Sequence, residues 1–308
     1  MVFQLKKKIE YNLSKDRFSK LRIVLSKAKY VAKNVVYIKN WSKNIPLNSS
    51  VRKNTIERDE SKLNFSFKNY VVKIIRDPDP LLIKAKELRQ KIFFNDTGVH
   101  SLDSDEFDRI CDHLIVIDKS ISSDHVVGTY RLLLKQNENK KFKFYSESEF
   151  NISNLKRNKK NLVSEAGRSC VHQNYRDGRI IKLLWRGLAS YIYEKKIDLI
   201  FGCASFPSSK YEQFINQLSY LNHFHSPPEK FLTFPLDNIE AKFKIVPKNK
   251  LNIKREFQLL PPLIKAYIRA GAWVGQGSIV DKKFDTTDVL IILKTENIIK
   301  KYSKLSIR

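Results

Sequence analysis

Two arginines, Arg176 and Arg179, flank Gly178 directly before a stretch with helical periodicity. A helix N-terminus presents unpaired N–H groups and a partial positive charge, so it binds phosphate, and two fixed cations strengthen that attraction. Glu165 lies on the apolar strand that precedes this turn. A phosphate-binding turn and a candidate base at one strand end suit the transfer of a group from a phosphate-bearing carrier.

The elements that position these residues alternate between apolar runs and amphipathic stretches. Strands are predicted at YVVKIIRD, HLIVID, HVVGTYRLLL, NLVSEAGRSCVH, DLIFGCASF and TTDVLIILKT, with a short strand in KFKFYSESEF. Helices are predicted at LLIKAKELRQKIFF, IIKLLWRGLASYIYEKK, SKYEQFINQLSYLNHFH and PPLIKAYIRAGAW. Consecutive strands before the central helix favour antiparallel pairing, and the unit over 162–203 favours one parallel crossover. The sequence therefore predicts an α/β fold, a mixed sheet with helices on both faces.

The N-terminal 68 residues differ from the rest in charge. They hold 17 Lys and Arg against 5 Asp and Glu, a net charge of +12, and the whole chain carries +26. Apolar residues over 18–38 recur at helical spacing opposite a lysine-rich face, which suits either a helix on an anionic membrane surface or one packed on the domain. Residues 42–68 read as a polar linker. We expect a basic extension over 1–68 and a main domain over 69–300.

Composition limits the compartment and the partners. The three cysteines, Cys111, Cys170 and Cys203, form no CxxC pair and no zinc-like spacing, so we expect a reducing compartment and no metal. The N-terminus lacks the apolar core of a signal peptide, which favours a cytoplasmic protein. The excess positive charge attracts nucleic acid, anionic lipid or acidic proteins. No recognised nucleic-acid-binding motif accompanies it, so a nucleic-acid-binding protein remains only the alternative of another class.

Several long segments in order resemble the ornithine Nα-acyltransferases of ornithine-lipid synthesis, which have the GNAT fold. The matching segments are FDRICDHLIVID, VVGTYRLL, GRSCVHQNYRDGRIIKLLWRGLASYI, DLIFGCASF, LSYLNHFHSPPE, LPPLIKAYIRAGAWVGQGS and FDTTDVLIIL. The resemblance implies an acyltransferase that moves a 3-hydroxyacyl chain from the 4'-phosphopantetheine arm of acyl carrier protein to the α-amino group of ornithine. It implies no bound cofactor. The product, a lyso-ornithine lipid, is amphiphilic, so attachment to the inner face of the cell membrane is expected.

A fainter resemblance points to the acylhomoserine lactone synthases, which take acyl chains from the same carrier. Their pattern of Arg, Phe, Asp-x-x-Asp, Arg and Glu-x-x-Arg has counterparts at Arg89, Phe93, Asp105, Asp108, Arg131, Glu165 and Arg168. The tryptophan that those synthases carry after the first helix is missing. A lactone-type synthase and an N-acyltransferase of another amino acid therefore remain alternatives.

The combined interpretation assigns each candidate a role. Glu165 is the candidate base, and its neighbour Arg168, with Arg131 as a second candidate, would hold it ionised. Backbone N–H groups over Ser169, Cys170, Val171 and His172 would bind the thioester, and Arg176, Gly178 and Arg179 the phosphate. The amino acid would be bound by Arg89, Asp105, Asp108 and Arg131, although these charges equally suit a brace between loop and helix.

Three further expectations concern the donor and the acyl chain. The GNAT phosphate turn usually ends Gly-x-Gly or Gly-x-Ala, and bulk at Ile180 should crowd a pyrophosphate, which favours acyl carrier protein over coenzyme A. Apolar residues within 201–233 would line a channel for the acyl chain. The glycine-rich segment 271–278 lacks the preceding strand of a dinucleotide site and is expected to be a flexible loop near that channel.

Overall fold

The computed structural model describes residues 63–94, 101–134, 143–157 and 162–296. The strands and helices, in chain order, are β1 (Phe65–Phe67), β2 (Tyr70–Ile75), α1 (Leu81–Phe93), β3 (Asp112–Asp118), β4 (Val126–Leu134), β5 (Phe150–Asn151), α2 (Ser153–Lys156), β6 (Val163–Val171), α3 (Arg179–Glu194), β7 (Leu199–Phe206), α4 (Ile215–His225), β8 (Phe234–Pro235), α5 (Ile253–Leu259), α6 (Pro262–Arg269), β9 (Trp273–Val274), β10 (Ile279–Asp281) and β11 (Thr286–Lys294). The predicted helix over 18–38 lies outside the described residues.

One mixed sheet organises the described chain, with strand order β1-β2-β3-β4-β6-β7-β11-β10 and β9 also paired to β11. The only parallel pair in this order joins β6 to β7, connected through α3. This confirms the predicted antiparallel strands and the parallel crossover. The first hairpin crosses the expected boundary at residue 68, because β1 pairs with β2 and Leu63 is buried. The sheet thus begins at Phe65, inside the expected linker.

Strand alternation determines what covers each face of the sheet. On one face, α3, α4 and α6 pack on residues such as Leu132, Ile200 and Ile291. On the other face, α1 covers Ile115 and Ile117, and the segment from Phe144 to Leu155 covers Leu133, Phe201 and Leu290. The predicted helices on both faces are confirmed. Within the described residues, no helix combines the length and apolar character needed to cross a membrane.

The second face also carries a row of polar side chains. Leu133, Glu165 and Phe201 lie opposite one another on β4, β6 and β7, so they share that face. Arg131, two residues before Leu133, and Cys203, two residues after Phe201, therefore point the same way. Cys203 pairs with Leu290 on β11, which brings Asp288 to this face as well. The polar row runs across the middle of the sheet.

Candidate active site

The central opening of the molecule lies where β6 and β7 diverge. The two strands pair only from Val163 with Leu199 to Glu165 with Phe201. A cavity of about 320 Å³ follows, lined by β6 residues 166–169 and β7 residues 200–205. A Cβ added at Gly202 would lie 2.2 Å from the Ala166 carbonyl oxygen, so only glycine allows the strands this approach just before they separate. The parallel crossover thus creates the pocket.

Arg168 marks an irregularity in β6 beside this pocket. Its φ of 50° lies in the left-handed region, and the register between β4 and β6 shifts at this point, as in a β-bulge. The bulge directs the guanidinium between two aromatic rings, 4.7 Å from the centre of Tyr145 and 4.8 Å from that of Phe284. Strained backbone at a cavity wall is typical of functional positions.

Glu165 lies on the cavity wall and is almost fully buried. Its carboxylate accepts hydrogen bonds from the N–H groups of Tyr145 and Ser146, each at 2.8 Å, and from the Ser146 hydroxyl. Burial raises the pKa of Glu165, while these donors oppose the rise. Arg168 was expected to hold Glu165 ionised, and that is wrong, because its ion pairs go to Asp103 and Asp105. The guanidinium that opposes the rise in the pKa of Glu165 is that of Arg131. Glu165 is held by the 145–146 backbone instead.

Three arginines and three aspartates form a paired network beside the pocket. The Arg89 guanidinium contacts Asp108 through two nitrogens, at 2.8 and 2.9 Å, and Asp103 through Nε at 2.7 Å. Arg131 contacts Asp105 at 2.5 Å and Asp108 at 3.2 Å. Together with the two ion pairs of Arg168, these contacts connect α1, the 101–111 loop, β4 and β6. We call these six residues the arginine–aspartate network.

The electrostatics of the network are those of a closed ion-pair cluster. Burial alone would raise the pKa of Asp108, but Arg89 and Arg131 together outweigh burial and hold that pKa well below its usual range. Arg89 and Asp108 have no exposed surface and do not line the cavity. They act as the brace that the sequence left open as an alternative. Arg131 and Arg168 reach the cavity wall, and Asp103 is a member that the sequence analysis missed.

The proposed phosphate-binding turn has the expected geometry, but the Asp177 carboxylate occupies part of it and would compete with a phosphate. Gly178 adopts a φ of 91° and caps α3, which begins at Arg179. The Asp177 carboxylate already accepts the Arg179 N–H at 2.9 Å and pairs with its guanidinium at 2.6 Å. Ile180 is fully buried, and its side chain contacts Gly128 in the core. Its bulk therefore does not crowd the turn, and the expectation against coenzyme A loses its basis.

Backbone pairing along β6 separates the proposed thioester ligands into two sets. The His172 N–H donates to the Val127 carbonyl at 2.9 Å, so it is not available to a substrate, contrary to the expectation. Because successive strand residues direct their N–H groups to opposite sides, the Cys170 N–H also points toward β4 and the Val171 N–H points away from it. Ser169 follows the bulge at Arg168, where this alternation is interrupted, and it lines the cavity. Arg176 approaches the same place, since its Nε donates to the Val171 carbonyl at 3.3 Å.

A second set of acids was missed by the sequence analysis. Carboxylate oxygens of Glu149, Asp281 and Asp288 all lie within 4.8 Å of one another, and we call this group the carboxylate cluster. Asp281 and Asp288 line the cavity. Burial raises the pKa of Glu149 to about 8 and that of Asp288 to about 6. Such a group could hold a cation, a possibility that the expectation of no metal did not consider.

Comparison with known proteins assigns the chain to a family. Residues 88–186 match the family model described as an acetyltransferase (GNAT) domain. The chain is 38% identical over 230 residues to the L-ornithine N(alpha)-acyltransferase of Brucella abortus (strain 2308), covering 71% of this chain and 82% of that protein. It is 41% identical over 204 residues to the enzyme of the same name from Agrobacterium fabrum (strain C58 / ATCC 33970), covering 65% and 70%. The chain belongs to the L-ornithine N(alpha)-acyltransferase family.

Membership in the L-ornithine N(alpha)-acyltransferase family confirms the resemblance and the GNAT fold, and it makes the protein an acyltransferase. The GNAT match contains Glu165, Arg168 and the turn before α3. Asp281 and Asp288 lie outside it, on the last hairpin of the sheet. The site therefore combines the GNAT segment with a C-terminal hairpin.

The cysteines of this acyltransferase are poor nucleophiles. Burial raises the pKa of Cys111 and of Cys170 to about 12. The Cys203 thiol faces the cavity but donates to Glu149 at 2.8 Å, and burial raises its pKa as well. The thiolate is the reactive form, so all three are inert at neutral pH. Direct attack by the substrate amine needs none of them.

The acyl-chain expectations are only partly met by the structure. Within 201–233, residues 201–205 line the cavity, and other apolar lining residues are Ile92, Phe93, Leu263 and Ile291. The segment 271–278 contains β9, which pairs with β11, and the Gly275 N–H donates to the Leu290 carbonyl at 2.9 Å. This segment is part of the sheet, so the expectation of a flexible loop is wrong. The apolar lining comes from both faces of the sheet.

Proposed function

We propose that this protein transfers a 3-hydroxyacyl chain from the phosphopantetheine arm of acyl carrier protein to the α-amino group of ornithine, giving a lyso-ornithine lipid. The observation that carries the proposal is the cavity at the divergence of β6 and β7, where apolar walls meet charged groups of both signs. Its relatives are named for ornithine as acceptor. A long acyl chain needs the apolar walls, and an amino acid needs the charges.

The charged wall suits the carboxylate of an amino acid. Arg131 and Arg168 reach the cavity, and the Arg168 Nε is buried without a hydrogen-bond acceptor in suitable geometry. A guanidinium offers two parallel donors to a carboxylate. We assign the substrate carboxylate to this pair. The sequence suggested Arg89 and Asp108 as ligands. In the structure Arg89 pairs with Asp108, and Asp108 in turn pairs with Arg131 and positions it.

The reaction follows from the position of the strands. A neutral α-amine attacks the thioester carbonyl, the new C–N bond forms, and the C–S bond breaks. The amine proton passes to Glu165, directly or through water, and a proton ends on the departing pantetheine thiol. The N–H groups of Ser169 and Val171 stabilise the oxyanion. The raised pKa of Glu165 brings it closer to that of an effective base near neutral pH.

The donor arm is assigned to the C-terminal end of the central strand β6, at the turn that leads into α3. The helix N-terminus and the side chains of Arg176 and Arg179 attract its phosphate. This assignment holds for the single phosphate of a carrier protein and equally for coenzyme A, since the buried Ile180 obstructs neither. The choice of donor is therefore a matter for experiment.

The test combines purified protein, ornithine and either 3-hydroxyacyl carrier protein or the matching coenzyme A ester, with the product identified by mass spectrometry. We expect N-acylornithine, and the ratio of the two rates decides between the carrier protein and coenzyme A as donor. Glu165→Gln keeps the shape of the side chain and should lower turnover by about 10²- to 10⁴-fold at an unchanged unfolding midpoint. Absence of any acylated amino acid would reject the function, and near-normal turnover of the variant would remove Glu165 as base.

Attachment to the membrane is proposed for the basic extension. Residues 1–62 carry 16 Lys and Arg against 5 Asp and Glu, and each cation near an anionic surface contributes about 1 kcal/mol. Deletion of residues 1–62 leaves Leu63 and the first hairpin intact. The shortened protein should lose most sedimentation with phosphatidylglycerol vesicles at low salt and keep turnover on soluble substrates. Equal sedimentation of both forms would exclude the extension as the attachment site.

A further inference from the structure

The carboxylate cluster assembles from distant parts of the chain. Glu149 lies just before β5, Asp281 ends β10, and Asp288 lies on β11. Glu149 and Asp288 each expose only 6% of their surface. Three acids so close together in a buried place repel one another, and burial adds the loss of hydration. Such an arrangement destabilises the ligand-free fold unless a proton or another positive charge enters it.

The described residues place no lysine or arginine in direct contact with the cluster; the charge of Arg168 acts on Asp288 only at longer range and opposes the rise in its pKa. Among them, no lysine or arginine forms an ion pair with any of the three carboxylates. Asp281 accepts the Lys283 and Phe284 N–H groups, and Glu149 accepts the Cys203 thiol. The buried Asp288 Oδ1 has no hydrogen-bond partner, although Thr286 and Ser205 lie close enough to the carboxylate to oppose the rise in its pKa. Asp288 thus brings an unpaired acceptor to the cluster.

The cluster is open to the cavity in which the acyl transfer is proposed. Asp281, Asp288 and Cys203 line the same cavity as Glu165 and Arg168. A ligand in this cavity can thus place one end near the diverging strands and a positively charged end at the cluster. Ornithine has this constitution, with a reacting α-amine and an ammonium at the end of its side chain.

We propose that Glu149, Asp281 and Asp288 bind the side-chain ammonium of the amino-acid substrate and keep it protonated while the α-amine reacts. This inference rests on the proposed function and adds the basis of its selectivity. An amine among carboxylates is stabilised as the cation and cannot attack a thioester. The cluster is therefore unsuitable for the reacting amine and suitable for the amine that must remain unreacted. It would enforce acylation at the α position.

The experiment compares ornithine with norvaline, the same amino acid without the side-chain amine, using one acyl donor throughout. Asp288→Asn should lower kcat/KM for ornithine by about ten- to a hundredfold, since a charge-assisted contact is lost, and leave norvaline within about twofold. Fragment-ion mass spectrometry should show a larger share of side-chain acylation in this variant. Glu256→Gln is the matched control, because Glu256 is buried, bonds to Gln217 and does not line the cavity.

The outcomes separate this inference from the proposed function. Equal losses for ornithine and norvaline in Asp288→Asn, or no loss for either, would overturn the ammonium site. A metal requirement would also overturn it. If a chelator abolishes the activity of wild type and Mg²⁺ restores it, but Mg²⁺ does not restore activity in the variant, the cluster holds a metal ion. If wild type acylates neither amino acid, the function fails, and calorimetry of ornithine binding without donor still decides the cluster: wild type should bind more tightly than Asp288→Asn.

Discussion

Two groups of acidic side chains lie beside one cavity, and they are balanced in opposite ways. In the arginine–aspartate network, each aspartate contacts at least one guanidinium. In the carboxylate cluster, no described lysine or arginine forms an ion pair, and the pKa values of Glu149 and Asp288 rise. Within the first group, Arg89 and Asp108 are fully paired and closed to the cavity, so they serve stability. The groups left without a hydrogen-bond partner at the cavity, the Arg168 Nε and the Asp288 Oδ1, are available to a ligand.

The largest effect is expected from breaking the complete group. Asp108→Asn leaves Arg89 buried with one aspartate fewer, and loss of one partner in a buried ion pair costs about 3–5 kcal/mol. Asp288→Asn removes a buried carboxylate that forms no ion pair with the described residues and whose pKa burial raises, so it should leave the free energy of unfolding unchanged or raise it. Urea unfolding of both variants at neutral pH measures the difference. Similar losses in the two variants would contradict the comparison.

The pH dependence of stability should also differ between the groups. The pKa of Glu149 is about 8 in the folded protein against an ordinary 4.5, so the folded state binds the extra proton between these values. Stability from this group is fully present below pH 4.5 and is lost as pH rises from there to about 8, by up to about 1.4 kcal/mol per pH unit. Asp108 has the opposite sign, because its lowered pKa makes stability fall in acid.

Urea unfolding of wild type and Glu149→Gln between about pH 7 and 8.5 isolates the first effect. Burial lowers the pKa of His113 to about 4, so that residue changes stability mainly at lower pH. Wild type should lose stability across the measured range relative to the variant. Parallel curves for the two proteins would show that Glu149 is already ionised in the fold.

The difference between the groups also decides what the sequence could predict. The paired acids lie close together in the chain, in an acidic loop that faces a basic helix, so Arg89, Asp105 and Asp108 could be proposed as one set. Glu149 and Asp288 meet only through the sheet, over 139 residues. One local signal existed, because Asp288 is in phase with the buried Leu290 and Ile292 of a strand. A charged residue at an inward-facing position of a strand is a candidate functional residue.

The register of backbone hydrogen bonds between strands could not be predicted from the sequence either. Apolar runs predicted the strands and the parallel crossover, because alternation and length are local properties. The bulge at Arg168 and the use of the His172 N–H by β4 depend on the register with a distant strand. The residues proposed for the thioester could therefore be placed in one segment, but not divided into those that face β4 and those that face the opening.

The smallest effect is expected at the turn before α3, where an ion pair is complete but exposed. Arg179 is paired with Asp177, and both side chains are largely solvated, so water screens the pair and a phosphate can replace the carboxylate. Arg176→Ala and Arg179→Ala should each raise the donor KM by about tenfold and leave the ornithine KM unchanged. Asp177→Asn is the opposing control, because it frees Arg179 and should lower the donor KM by about two- to threefold. Steady-state kinetics with the donor varied measure these effects. A change in the ornithine KM alone in the arginine variants would reject the phosphate assignment. So would a higher donor KM in Asp177→Asn. If the kinetics support the assignment, this exposed pair is a third kind of charge: the fold pairs Arg179 with Asp177, and the phosphate of the donor replaces that partner.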